Sequence, residues 1–183
     1  MKMIKLATII CVIVLALIGC KSKIDKSLEV ISPYEKFFIG KSIELDSLPM
    51  GFEKQLADFS NEFKKYSKSS LYIYTAAYIA EKRGKVREAA EYSAIYVDEY
   101  PSEKLHRMES AMVAAHYFET MAKYEQALKY YDILTKEFPN HIIGQQAKST
   151  AEMIRKGAIT PEQQLEMMIQ KNQQTETSEA KNQ

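Results

Sequence analysis

The chain has 183 residues, of which 25 are basic and 24 are acidic, and 46% are hydrophobic. The near-neutral charge argues against a nucleic-acid-binding protein, which needs a basic stripe, and the length fits one domain with a real core. Six glycines and five prolines in a chain rich in alanine, glutamate and lysine favour a helical protein.

A short basic start precedes LATIICVIVLALIG, an apolar run that closes in the residues LIGC at 17–20. The run is shorter than the about 20 apolar residues of a transmembrane helix and ends in a small-residue cleavage signal, which favours an exported, processed chain. The closing residues resemble the lipobox of bacterial lipoproteins. The resemblance implies cleavage before Cys20, which removes residues 1–19, and a diacylglycerol and an N-acyl chain on Cys20. The alternatives are an uncleaved anchor or an ordinary signal peptide.

Lipid on Cys20 would hold the domain on a membrane surface, because two or more acyl chains suffice for stable attachment. Lys21 follows the cysteine without an adjacent aspartate, which in enteric-type sorting implies the outer membrane. We expect a periplasm-facing outer-membrane protein, with the cell surface as the alternative. Since Cys11 lies in the removed segment, we expect no disulfide and no cysteine-based metal site in the mature chain.

Residues 20–50 are expected to hold the lipidated cysteine, a tether over 21–31 and one short helix. Ser32-Pro33-Tyr34-Glu35 predicts the helix start, with Ser32 as the N-cap, and Gly40 predicts its end. The apolar residues Phe37, Phe38 and Ile39 are expected to pack on the domain.

A helical domain is expected over 51–170. Its first helix, over about 51–66, is marked by aromatic and aliphatic residues on one face: Phe52, Leu56, Phe59 and Phe63.

The next segment is present twice in the chain. Residues 83–101 read RGKVREAAEYSAIYVDEYP and residues 121–139 read MAKYEQALKYYDILTKEFP, displaced by 38 positions without a gap. Six positions are identical between the two copies: Lys85/Lys123, Ala89/Ala127, Tyr92/Tyr130, Ile95/Ile133, Glu99/Glu137 and Pro101/Pro139. A repeat of this period predicts stacked antiparallel helix pairs, a short α-solenoid that binds another macromolecule.

We predict helix pairs over 70–83 with 86–100 and over 103–121 with 124–138, followed by a helix over 141–156. Gly84 is expected in the first turn, Asn140 as a cap and Gly157 as a stop. The expected inward side chains are Ile73, Ala76, Ala77 and Ala80; Val86, Ala89, Tyr92, Ser93 and Tyr96; Ala111, Ala114, Ala115 and Phe118; Tyr124, Ala127, Tyr131 and Leu134; and Ala147, Ala151 and Ile154. A last helix is expected to open at Thr160-Pro161 and run through Ile169, and the polar residues 171–183 are expected to be disordered.

The two clear repeats, about 70–101 and 108–139, resemble tetratricopeptide repeats. Small residues on the first helix, the glycine turn, Ala89 or Ala127 and the closing proline carry the resemblance, whereas the tryptophan and Leu-Gly pair of that family are missing. Together with the lipobox they are loosely similar to BamD-type outer-membrane assembly lipoproteins and to pilotins. The resemblance implies an adaptor for envelope proteins or peptide segments.

In that family the first helix of each pair lines a concave groove. The resemblance therefore implies a partner-binding groove formed by Leu71, Tyr74, Tyr78, Glu81, Lys82, Glu109, Met112, His116, Glu119 and Thr120. Aromatic side chains often dominate the binding energy of such a surface. The alternative is that Tyr74 and Tyr78 simply pack against neighbouring helices.

The chain is not expected to be an enzyme or to bind a metal or a cofactor. It has no His-x-x-x-His pair, no glycine-rich phosphate loop and no Gly-x-Ser-x-Gly elbow. We therefore expect a lipid-anchored adaptor of the cell envelope, engaged in outer-membrane protein assembly. A ligand- or peptide-binding lipoprotein and a structural envelope lipoprotein are the alternatives.

Overall fold

The computed structural model of the chain describes residues 21–40 and 43–157. Within these ranges all regular structure is helical and no strand is formed, which confirms the predicted all-α class. The described residues form seven α-helices, which are α1 (Lys23–Ile31), α2 (Phe52–Glu62), α3 (Ser69–Lys82), α4 (Val86–Glu99), α5 (Arg107–Thr120), α6 (Tyr124–Glu137) and α7 (Ile142–Arg155). The predicted signal segment 1–19, Cys20, the predicted helix through Ile169 and the tail 171–183 lie outside the described residues.

The chain divides into two compact units, residues 1–79 and 80–183, with the boundary inside α3. In the second unit each helix packs on the next one in sequence: α4 on α5, α5 on α6 and α6 on α7. Successive packing of this kind is that of a short helical solenoid, as the repeat predicts.

The predicted tether over 21–31 is wrong, because most of it forms α1. Ser22 and Asp25 form a reciprocal capping box at its start, and Ile31 is buried near its end. The chain continues directly into a 3₁₀ helix, Ser32–Phe37, and a second one follows at Leu45–Ser47. Ser32 therefore does not act as an N-cap: the residue before this 3₁₀ helix is Ile31, which has helical backbone angles and no capping side chain.

An aromatic cluster forms the core of the first unit. The Phe38 ring lies 6.0 Å from both the Phe52 and the Tyr72 rings, and the Phe59 ring lies 5.3 Å from Tyr72. The Glu35 carboxylate accepts hydrogen bonds from the Lys68 ammonium and the Tyr72 hydroxyl. Phe38 is buried, as predicted. These contacts pin the segment 32–38 onto the unit through both apolar packing and charge-assisted hydrogen bonds.

Alanine allows close helix packing in the second unit. The contact residues of α4, α5 and α6 include five alanines with no exposed surface: Ala89, Ala111, Ala114, Ala115 and Ala127. Helix axes approach to about 8 Å only where contact side chains are small. Most predicted inward residues are buried here, but Tyr124 is 36% exposed because it begins α6, and Val86, Tyr92 and Ile154 are half-buried.

The two repeat turns have the same backbone geometry. Gly84 has φ +69° and its N–H donates to the Glu81 carbonyl, while the Lys85 N–H donates to the Ala80 carbonyl. The displacement of 38 places Ala122 at the equivalent position, with φ +56° and its N–H donating to the Glu119 carbonyl. The second turn thus has the same left-handed conformation, which costs about 1 kcal/mol for an alanine and almost nothing for a glycine.

Two helix starts differ from the prediction. α5 begins at Arg107 rather than 103, since residues 102–106 form a turn after Pro101 in which Leu105 is 84% exposed. The N-cap of α7 is His141 rather than Asn140, and its Nδ1 accepts a hydrogen bond from the Ile143 N–H at 3.2 Å. Gly157 follows α7 with φ +68°, as expected of a helix stop.

Candidate partner-binding cavity

A cavity of about 330 Å³ opens in the second unit among α5, α6 and α7. Its lining comes from one residue at the end of α3 and from three consecutive helices: Glu81; Met112, Val113, His116 and Tyr117; Tyr131 and Leu134; and Ile143, Gln146, Ala147 and Thr150. Binding sites of proteins are usually apolar recesses with a few polar groups, so this cavity is the candidate site.

The depth of the cavity follows from the burial of its lining. Leu134, Ala147 and Tyr131 are 1%, 3% and 8% exposed, so they form its floor. Met112 is 39% exposed and His116 is also exposed, so these two residues of α5 form part of the rim. The α5 residues that line the cavity lie on a different face of the helix from the buried Ala111, Ala114 and Ala115, as the helical period requires.

Two tyrosine–glutamate hydrogen bonds order the polar groups of the site. The Tyr117 hydroxyl donates to Glu81 Oε1 at 3.4 Å, and the Tyr131 hydroxyl donates to the Glu119 carboxylate. Burial, followed by the neighbouring carboxylate, raises the pKa of both tyrosines, so both hydroxyls stay protonated donors at neutral pH.

Arg107 holds the start of α5, the helix that forms one wall of the cavity. Its guanidinium donates from Nε and Nη2 to the two Glu137 carboxylate oxygens at 2.6 and 2.8 Å, and from Nη1 to the Val97 carbonyl at 2.6 Å. The side chain is only 7% exposed. One buried cation thus joins the ends of α4 and α6 to the beginning of α5.

The structure brings three of the ten predicted groove residues to this cavity: Glu81, Met112 and His116. Glu119 does not line the cavity but accepts a hydrogen bond from the lining residue Tyr131. The Thr120 hydroxyl donates to the His116 carbonyl at 2.9 Å. The rest of the set does not line the cavity. Exposed Lys82 and Glu109 belong to the second unit, and half-buried Leu71, Tyr74 and Tyr78 belong to the first.

Sequence reasoning missed the contribution of α7. Ile143, Gln146 and Thr150 line the cavity, although only the inward face of this helix was predicted. Five residues separate Pro101 from α5, whereas two separate Pro139 from α7. The displacement of 38 therefore does not relate the residues of α5 to those of α7. The position of α7 directly after the second repeat, where the first helix of a third pair would lie, is the signal that could have identified these residues.

Neither a metal cluster nor a membrane span is found in the described part of the chain. Within residues 21–40 and 43–157, no three His, Cys, Asp or Glu side chains come together as metal ligands. In the same ranges no helix has the length and apolarity needed to cross a bilayer.

Comparisons with known proteins leave the family open. No protein-family model, curated protein or solved structure matches the chain. The resemblance to tetratricopeptide repeats therefore remains a hypothesis based on the sequence.

Proposed function

We propose that this protein is a lipid-anchored adaptor of the bacterial cell envelope, similar to tetratricopeptide lipoproteins. Its acylated Cys20 holds it on the membrane surface. It binds a peptide segment of an envelope protein in the cavity among α5, α6 and α7. Support of outer-membrane protein assembly is the specific role that we propose for it.

The cavity is the observation that carries this proposal. Helical solenoids bind partners on concave surfaces formed by successive repeats, and here α5, α6 and α7 together form such a recess. The rim residue Met112 is flexible and apolar, which suits it to contact with a protein chain. Photo-crosslinking in cells from position 112 tests the binding role, and we expect a covalent adduct with an envelope protein.

The anchor is tested by Cys20→Ser in cells grown with a clickable palmitate analogue. We expect the unaltered chain to carry the label and to sediment with outer membranes. The variant is expected to lose the label and to keep residues 1–19, because the lipobox resemblance places both the lipid and the cleavage at this cysteine. Cys11→Ser is the matched control and should leave labelling and processing unchanged. Label that persists in Cys20→Ser would contradict the proposed anchor.

A further inference from the structure

Among the residues that the structure describes, Glu81 is the only carboxylate that lines the cavity, and no described lysine or arginine lines it. Glu81 is half-buried, and within the described residues its carboxylate has one hydrogen bond, the 3.4 Å contact from the Tyr117 hydroxyl, and no ion pair. A partly desolvated carboxylate without a cation is costly, and a positive group of a ligand would offset that cost.

Two carboxylates on α5 have the same sign as Glu81, although Lys82, Arg83 and Lys85 follow Glu81 in the chain. Helix α5 carries the exposed Glu109 and the half-buried Glu119, while its only arginine, Arg107, is buried against Glu137. Complementary charge across an interface selects partners and suppresses wrong ones more than it raises affinity. These two carboxylates lie outside the lining of the cavity, so Glu81 is the lining carboxylate that can pair with a cation inside it.

The size of the cavity indicates how much of a ligand enters it. About 330 Å³ is close to the lower limit of small-molecule pockets, which suits one bulky side chain better than a whole drug-sized ligand. The floor of Leu134 and Ala147 is apolar, and the rim of Met112 and His116 is open to solvent. A ligand that places one side chain on this floor and continues over the open rim is a peptide segment.

We infer that the cavity recognises a peptide segment in which a bulky apolar residue is next to a lysine or arginine. The apolar side chain fills the recess above Leu134 and Ala147, and the cationic group pairs with Glu81. This inference rests on the proposed function and adds the chemical class of the partner segment.

The test uses the full chain in detergent micelles with ¹³C-methyl-labelled methionine, and follows the Met112 methyl signal by NMR. The probes are N-acetyl-Phe-Lys-amide and N-acetyl-Phe-Glu-amide. We expect the lysine peptide to shift this signal with an affinity roughly tenfold above that of the glutamate peptide, as for one partly exposed ion pair. Glu81→Gln should remove the difference. Glu125→Gln, an equal charge change at an exposed residue of α6 outside the cavity, should preserve it.

Three results would overturn the inference: equal affinity for the two peptides, a difference that survives in Glu81→Gln, or no shift of the Met112 signal with the lysine peptide. Phenethylamine binding as tightly as the lysine peptide would also overturn it, in favour of a small amine as the ligand. Crosslinking from position 112 reports partner binding whatever its charge. A failure of charge selection is therefore distinguishable from a failure of the proposed function.

Discussion

Arg107→Ala is expected to destabilise the protein by about 3 kcal/mol, the lower end of the cost of breaking a buried ion pair, because the Arg107 side chain is 7% exposed and the Glu137 side chain is 29% exposed. The truncation leaves the Glu137 carboxylate and the Val97 carbonyl without the guanidinium that now contacts both at 2.6–2.8 Å. Arg107→Lys should recover only part of the loss, since an ammonium cannot reproduce the two parallel bonds to the carboxylate. Urea denaturation followed by circular dichroism measures the difference.

A matched control exists on the surface of the same unit. Arg155 Nη2 lies 2.6 Å from both Asp132 carboxylate oxygens, but these side chains are 49% and 54% exposed. Arg155→Ala should therefore cost less than about 1 kcal/mol. Equal losses in Arg107→Ala and Arg155→Ala would contradict the role assigned to the buried Arg107 guanidinium.

The same pair predicts how stability depends on pH. The hydrogen bonds and charge of Arg107 hold the pKa of Glu137 below its ordinary value of 4.5. A carboxylate with a lowered folded-state pKa contributes stability that is fully present above the unfolded-state pKa and is lost as the pH falls through the folded-state pKa. The stability gap between the unaltered protein and Glu137→Gln should thus narrow as the pH falls below about 4.5.

Gly144→Ala is expected to cost about 3 kcal/mol, although alanine is the better helix former by about 1 kcal/mol. A Cβ at position 144 would lie 2.0 Å from the Phe138 carbonyl oxygen and 3.0 Å from the Leu134 carbonyl oxygen. These are backbone atoms at the end of α6, so α7 must move as a whole. The movement should also widen the cavity, because Ile143 and Ala147 on α7 line it.

Gln145→Ala is the control for this substitution, since Gln145 is the next residue of α7 and is exposed. Its effect should lie within about 0.5 kcal/mol of zero, which is typical of surface positions. Thermal unfolding of the two variants separates the destabilisation caused by the contact of α7 with α6 from the effect of the helix propensity of alanine. A Gly144→Ala protein as stable as Gln145→Ala would show that α7 does not approach α6 as described.

The helix pairs were predictable because their signals are local and periodic. The displacement of 38 relates Gly84 to Ala122 and Ala89 to Ala127, and both pairs have matching conformations or burial in the structure. Small residues at helical spacing identified the packed faces of α4, α5 and α6, since no other residue type permits that approach. Tyr124 was misassigned because periodicity ignores the end of a helix, where no neighbouring turn covers the side chain.

Other features depend on contacts that are distant in sequence. Residues 21–31 look polar, yet Ile24, Leu28 and Ile31 share one face, and the capping box of Ser22 and Asp25 was a local signal that went unused. The bond from Arg107 to Glu137 spans 30 residues, and no spacing rule connects them. The cavity likewise depends on how the shorter linker sets α7 against α5, which the repeat alone does not determine.

Photo-crosslinking in living cells tests the central claim most directly, with a benzophenone amino acid in place of Met112. Position 126 is the matched control, since Gln126 is exposed on α6 and does not line the cavity. Binding through the cavity predicts an adduct with a defined envelope protein from position 112 and none from position 126. No adduct from position 112, or the same adduct from both positions, would contradict it.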